Sequence, residues 1–154
     1  DAMESRGLGD VYKRQSRYIV KNACCIYPTA PLIFDTDIID AKKILDSTEE
    51  EILVFAATSF PYPIQRAIYI ESNGYSKMFN PELFESRSQD LKKSYHDAAQ
   101  FYWASSKIWI TKNNLFERSK PLIIPRWRVQ DIDNEEDWLR AEFLYDLIYR
   151  ENYG

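Results

Sequence analysis

Apolar and polar positions alternate along the chain in two periods. Short apolar runs at residues 23–27 and 52–57 suit buried strands, the first ending at Pro28 and Pro31 and the second at Pro61 and Pro63. Ile38, Ile39, Ala41, Ile44 and Leu45 recur at helical spacing within residues 35–45, behind polar residues able to cap a helix. Residues 49–51 read as a solvated loop. Residues 66–71 and 75–79 flank Asn73-Gly74, a strong hairpin signal. A helical turn is expected at 90–95, an aromatic strand at 100–104, and a helical or irregular stretch at 106–113. Another strand is expected from 121 to 124, running on through 126–129. The last element is the clearest: Asn134 can cap a helix, acids fill its first turn, and Trp138, Ala141, Tyr145 and Ile148 keep the period. Strands alternating with helices predict an α/β or α+β domain, a layered sheet with helices packed on it.

Composition narrows the class. The 154 residues amount to about one domain, with 45% hydrophobic and 29% charged positions, as in a soluble globular protein. The longest apolar run, 52–57, is far short of the ~20 residues that span a bilayer, so no membrane association is expected, and the cytoplasm is the expected compartment. A net charge of −4 argues against nonspecific grip on nucleic acid. Cys24 and Cys25 are adjacent, have no cation neighbour in sequence, and read as buried strand residues. One histidine and no Cys-x-x-Cys exclude a structural zinc site. Of four glycines, two fall in the first nine residues, so no glycine-rich phosphate loop can be built here.

Residues 1–15 (DAMESRGLGDVYKRQ) have no hydrophobic period and resemble translated sequencing adapter; they are set aside as a non-native or disordered tail.

Candidate chemistry is concentrated near the last helix. In extended chain, Asp131 and Asp133 share a face, and two hard oxygen ligands suit Mg²⁺. From spacing alone the plainer reading is that they, with Glu135, Glu136 and Asp137, complement the helix dipole. Arg66, Arg87, Lys92, Lys93, Arg126 and Arg128 either face an acidic ligand or are solvated surface. His96-Asp97 is either an acid–base pair or structural. The four tryptophans read as core and interface.

Five stretches in fixed order carry a resemblance: 24–32 (CCIYPTAPL), 60–67 (FPYPIQRA), 87–91 (RSQDL), 96–103 (HDAAQFYW) and 125–142 (PRWRVQDIDNEEDWLRAE). Together they resemble the cytidylyltransferases that activate nonulosonic, sialic-acid-like sugars, most closely the pseudaminic acid branch. Tyr27-Pro28-Thr29-Ala30-Pro31 and Ala98-Ala99-Gln100 stand where the neuraminic acid branch has Gln-Pro-Thr-Ser-Pro and Asn-Gly. The resemblance implies a Rossmann-like, nucleotide-diphospho-sugar transferase-like mixed sheet flanked by helices. It also implies transfer of CMP from CTP to the sugar, with release of pyrophosphate, for glycosylation of surface glycans or flagellin. It makes Asp131 and Asp133 the catalytic, metal-binding carboxylates, which reverses the dipole reading, with Mg²⁺ as the metal. Thr29 and Ala30 would line the sugar pocket. Gln65, Arg66, Arg87, Gln89, His96, Asp97 and Gln100 would grip the sugar's carboxylate and acylamino groups. A homodimer is expected of the full-length protein.

Departures from the family pattern are Pro28 in place of a small residue, Ala99 and Ala104 where glycine is usual, and Asn134 in place of threonine. The family's N-terminal strand and basic CTP loop have no counterpart. Residues 16–154 are therefore expected to be the C-terminal part of a single cytidylyltransferase domain, inactive alone and prone to aggregate along its open sheet edge. Rival expectations are a neuraminate or legionaminate synthetase, a sugar-binding fragment without catalysis, and an unrelated acidic sugar-binding module.

Overall fold

The computed structural model describes residues 20–111 and 116–150; the 1–15 tail lies outside them. Strand β1 (Asn22–Ile26) is the expected apolar run. Helix α1 (Asp35–Asp46) follows, with Asp35 and Asp37 in its first turn and Lys43 in its last, matching the helix dipole. Strand β2 (Leu53–Ser59) is buried from Leu53 to Thr58. A small hairpin, β3 (Ile68–Ile70) with β4 (Ser76–Met78), precedes the long strand β5 (Tyr95–Ser105). Helix α2 (Ser106–Thr111), strand β6 (Ser119–Ile123) and helix α3 (Glu135–Arg150) complete the chain.

The main sheet has the order β1-β5-β2-β6. β5 runs antiparallel to both β1 and β2, while β6 is parallel to β2, so the sheet is mixed. That explains the unbroken apolar stretch of β2: flanked on both edges and covered on both faces, it has no solvated side to reward alternation. One face packs Val54, Ala56, Phe101 and Ile124 against Ala41 and Leu45 of α1. The other gathers Leu53, Phe55, Ala57, Tyr102 and Ala104, with Tyr27 and Trp109 against them. Trp103 and Trp109 tie the layers down, donating to the carbonyls of Ile38 (3.0 Å) and Ala23 (3.1 Å), whereas Trp127 and Trp138 are exposed.

Two expectations are corrected. Residues 126–128 form a 3₁₀ turn, because β6 ends at Ile123 and Pro125 turns the chain. Between 90 and 95 there is no helical turn; a 3₁₀ turn sits at Ser88–Asp90, and β5 already begins at Tyr95. The hairpin stands as expected, with Gly74 at φ +84, a left-handed conformation that selects glycine although a Cβ there would meet nothing within 4 Å.

Residues 60–94 form a lobe with no fully buried side chain, and Tyr62 (81% exposed) and Phe84 (72%) stand out from it. Hydrogen bonds hold it together rather than a core. Among the described residues no helix is long and apolar enough to cross a membrane.

Candidate active site

The acidic stretch is positioned from both ends. Asn134 caps α3 as expected, its Oδ1 accepting from the Asp137 N–H at 3.1 Å. Asp137 reaches back: its carboxylate accepts from the Asp133 N–H (3.2 Å) and from Gln130 Nε2 (3.0 Å). Gln130 Nε2 also donates to the Asp131 carbonyl at 2.8 Å. Residues 130–134 are thereby fixed as one unit on the helix start. In the middle, the Ile132 N–H donates to the Thr29 carbonyl at 3.0 Å. That bond brings the first and fifth sequence blocks into contact, with Thr29 exposed and Ala30 buried on the turn after β1.

The two carboxylates differ. Asp133 is exposed, whereas Asp131 is half-buried and its Oδ1 is sealed from solvent without a hydrogen-bond partner. A buried carboxylate oxygen left bare is costly unless a cation or donor completes it. Two residues on, Asp133 is open to solvent. Among the described residues no three Asp, Glu, His or Cys side chains cluster as metal ligands. Ile132, between the two aspartates, lines a cavity of about 480 Å³ bounded by Pro31 and by Trp138, Ala141 and Tyr145 of α3.

Asp97 approaches from β5. The β2–β5 pairing shifts between Phe55–Tyr102 and Ala57–Asp97, so β5 bulges there. Within the bulge Ala99 sits at φ 50, and its N–H donates to Asp97 Oδ1 at 2.9 Å. Left-handed backbone costs a non-glycine residue about 1–2 kcal/mol, partly offset in glycine by the entropy of the unfolded chain. Ala99→Gly is expected to raise stability by about 1 kcal/mol, read as an upward shift of the denaturation midpoint; a lower midpoint would contradict the strain.

The other Asp97 oxygen accepts from the Tyr102 hydroxyl at 2.5 Å. Burial first, then the Asp97 bond, pushes the Tyr102 pKa far up. Tyr27 packs on Tyr102 with ring centroids 5.2 Å apart; burial raises its pKa too, with Asp97 and Asp131 adding to the effect. Both phenols are neutral at physiological pH. His96 Nδ1 donates to the Asp97 carbonyl at 2.8 Å, since a carbonyl only accepts. The His96 ring lies 4.8 Å from that of Phe60.

The other expected residues lie apart from this cluster or serve the scaffold. Gln100 is fully enclosed, and its Nε2 donates to the Arg128 carbonyl at 2.8 Å. Gln65 donates to the Lys92 carbonyl (2.9 Å) and Arg66 to the Ser86 carbonyl, which stitches the lobe together. Arg87 and Gln89 are exposed on the lobe. Arg128 is neither surface nor ligand-facing: it is buried, pairs with Asp37 at 2.9 Å, and lies 4.3 Å from the Phe34 ring. Burial, together with the charge of Cys25, lifts the Cys24 thiol to about 11, and burial also raises that of Cys25, so neither is a ready thiolate.

A mixed sheet flanked by helices, with Asp131 and Asp133 on the stretch between β6 and α3, is an α/β architecture consistent with a nucleotidyltransferase-like fold. No family model matches the chain. It is similar to pseudaminic acid cytidylyltransferase of Campylobacter jejuni, 41% identical over 130 residues in strain 81-176 and equally in strain NCTC 11168. Each match covers 84% of this chain and 56% of the relative. A Helicobacter pylori protein named as both pseudaminic acid cytidylyltransferase and UDP-2,4-diacetamido-2,4,6-trideoxy-beta-L-altropyranose hydrolase is 30% identical over 111 residues, 71% of this chain and 21% of that protein. The chain is thus related to the pseudaminic acid cytidylyltransferases and spans about half the length of the curated relatives it matches.

Proposed function

We propose that the protein containing this chain transfers CMP from CTP to a nonulosonic acid, pseudaminic acid in particular, releasing pyrophosphate. It does so as a homodimer in the cytoplasm, with Mg²⁺ as its metal. The observation that carries this reading is the bond from the Ile132 N–H to the Thr29 carbonyl, which sets the aspartate pair against the turn expected to line the sugar pocket. The relatives' printed names support the substrate.

In the reaction the anomeric hydroxyl of the sugar attacks the α-phosphorus: a sugar O–P bond forms, the bond to pyrophosphate breaks, and the hydroxyl proton is lost. Asp97, Asp131 and Asp133 together make this region negative, which repels a triphosphate and a sugar carboxylate unless a cation intervenes. Asp131, through its bare Oδ1, and Asp133 would hold that cation. When bound, it supplies neutralisation of phosphate charge and eases loss of the hydroxyl proton. Thr29, Ala30 and His96 would border the sugar, and the Gln130–Asp137 brace holds the backbone that carries the two aspartates.

The test is pyrophosphate release by the complete gene product with CTP, Mg²⁺ and pseudaminic, neuraminic or legionaminic acid in parallel. Turnover is expected, fastest with pseudaminic acid. Absence of turnover with all three sugars rejects the reading.

A further inference from the structure

Two stretches of chain meet at the candidate site, residues 29–37 leading into α1 and residues 126–133 leading into α3. The Ile132 N–H bond to the Thr29 carbonyl (3.0 Å) joins them at the site itself. A single hydrogen bond sets a distance but leaves two segments free to rotate about it. The second attachment lies upstream, at Arg128. Its Nη2 donates to Asp37 Oδ1 at 2.9 Å, and its guanidinium carbon sits 4.3 Å from the centre of the Phe34 ring. Phe34 stands at the N-cap of α1 and has no side-chain group to cap it, so this helix start is oriented from outside. The Arg128 main chain is anchored in turn. Its carbonyl accepts from Nε2 of the fully buried Gln100 on β5 (2.8 Å), and its N–H donates to the Pro125 carbonyl (2.9 Å).

As a source of stability the pair is a poor choice. Both side chains are desolvated, at 10% and 14% exposure, and Asp37 Oδ2 is buried without a hydrogen-bond partner. Apolar residues of similar volume often serve as well. What an apolar pair cannot supply is direction. A guanidinium is planar, bonds along fixed lines and stacks on an aromatic ring, so it holds an angle as well as a distance. We propose that Arg128, through Asp37 and Phe34, is a positioning residue. It locks the stretch bearing Asp131 and Asp133 at one angle to the turn of Thr29 and Ala30, so that sugar and phosphates are held in reacting geometry. The inference rests on Asp131 and Thr29 belonging to the site.

Activity and stability then separate. Asp37→Leu/Arg128→Met fills similar volume and is expected to melt near the wild type, yet it leaves the two stretches only the Ile132–Thr29 bond. The complete gene product is assayed with CTP, Mg²⁺ and pseudaminic acid, below the melting midpoint of every variant. There the double variant is expected to lose about tenfold in kcat, since a small misplacement of reacting groups is costly. KM for CTP and for the sugar should stay within about twofold, because each stretch keeps its own contacts and only their alignment in the transition state is lost. Asp37→Asn is expected to do the reverse. Its Oδ1 still accepts from Arg128, so kcat falls no more than about twofold, while loss of the compensating charge lowers the midpoint.

Wild-type kcat in a folded Asp37→Leu/Arg128→Met enzyme overturns the proposal. So does a loss carried by KM, or a loss of kcat in Asp37→Asn that matches that of the double variant. Arg128→Lys keeps the charge but neither the planar fork nor the ring contact, and it decides the matter if the double variant does not fold. A folded Arg128→Lys enzyme with kcat lowered about threefold to tenfold and KM unchanged supports the proposal, and wild-type kcat overturns it. Asp131→Asn run alongside separates the two levels. If it loses turnover while Asp37→Leu/Arg128→Met keeps it, the site stands and the positioning role falls; if Asp131→Asn keeps full turnover, the reading of the site falls and this inference with it.

Discussion

Asp131→Asn in the complete gene product is expected to cut kcat/KM about 10²–10³-fold, the loss typical when one charge-stabilising group is removed from a preorganised site. The fold should survive, because the backbone of residues 130–133 is held by Gln130, Asp137 and the Thr29 carbonyl, none of which needs the Asp131 carboxylate. Asn keeps the shape and one oxygen but loses the charge, and charge is what a cation between two aspartates requires. Asp133→Asn is expected to cost less, since an exposed carboxylate is replaced more easily by water. The measurement is steady-state pyrophosphate release across a Mg²⁺ series, with thermal melting as the control. An Asp131→Asn enzyme within threefold of the wild type would mean these acids serve only the helix dipole.

The second large effect concerns stability. Arg128→Ala is expected to destabilise the protein by about 3–5 kcal/mol, because breaking a buried pair from one side leaves the other charge uncompensated. The pair is well enclosed, at 10% and 14% side-chain exposure, and Asp37 already has one buried oxygen without a partner. Against a total of about 5–15 kcal/mol for an ordinary domain, a loss of that size unfolds an appreciable fraction of molecules. Replacing both partners together, as Asp37→Leu/Arg128→Met, is expected to recover most of the loss, since buried pairs exchanged for apolar groups of similar volume are often neutral. Urea titration of the three proteins checks this. A midpoint for Arg128→Ala equal to the wild type's would show the pair to be solvated.

Most of the fold was legible from local pattern. The runs at 23–27 and 52–57 became β1 and β2, the 3.6-residue period at 35–45 became α1, and Asn73-Gly74 made its hairpin, because each signal is settled within a few residues of chain. What escaped depended on partners distant in sequence. The strand expected at 100–104 begins already at Tyr95, where β5 pairs along the edge of β2. Residues 126–128 look extended but curl, since Gln100 and Arg128 pull that turn down onto α1.

The site divides in the same way. Asp131, Asp133 and the Asn134 cap stand in one short stretch, so spacing and resemblance both reached them. Arg128 was indistinguishable from the other basic residues until Asp37, far off in the chain, was seen against it. Tyr27 and Tyr102 gave no separate signal among eleven tyrosines; a tyrosine five residues after an aspartate in a strand becomes informative only once the bulge at Ala99 is known. Asp137 was readable, as the acid three residues beyond a capping residue, but dipole compensation accounted for it without any brace.

The order of the sheet also bears on biosynthesis. Neither β1 nor β2 touches the other; each finds its neighbour in β5, which the ribosome makes last of the three. At roughly 5–20 residues per second, two apolar segments therefore wait some seconds after emerging before any partner exists. During that interval the nascent chain is a natural client for chaperones that shield extended hydrophobic stretches.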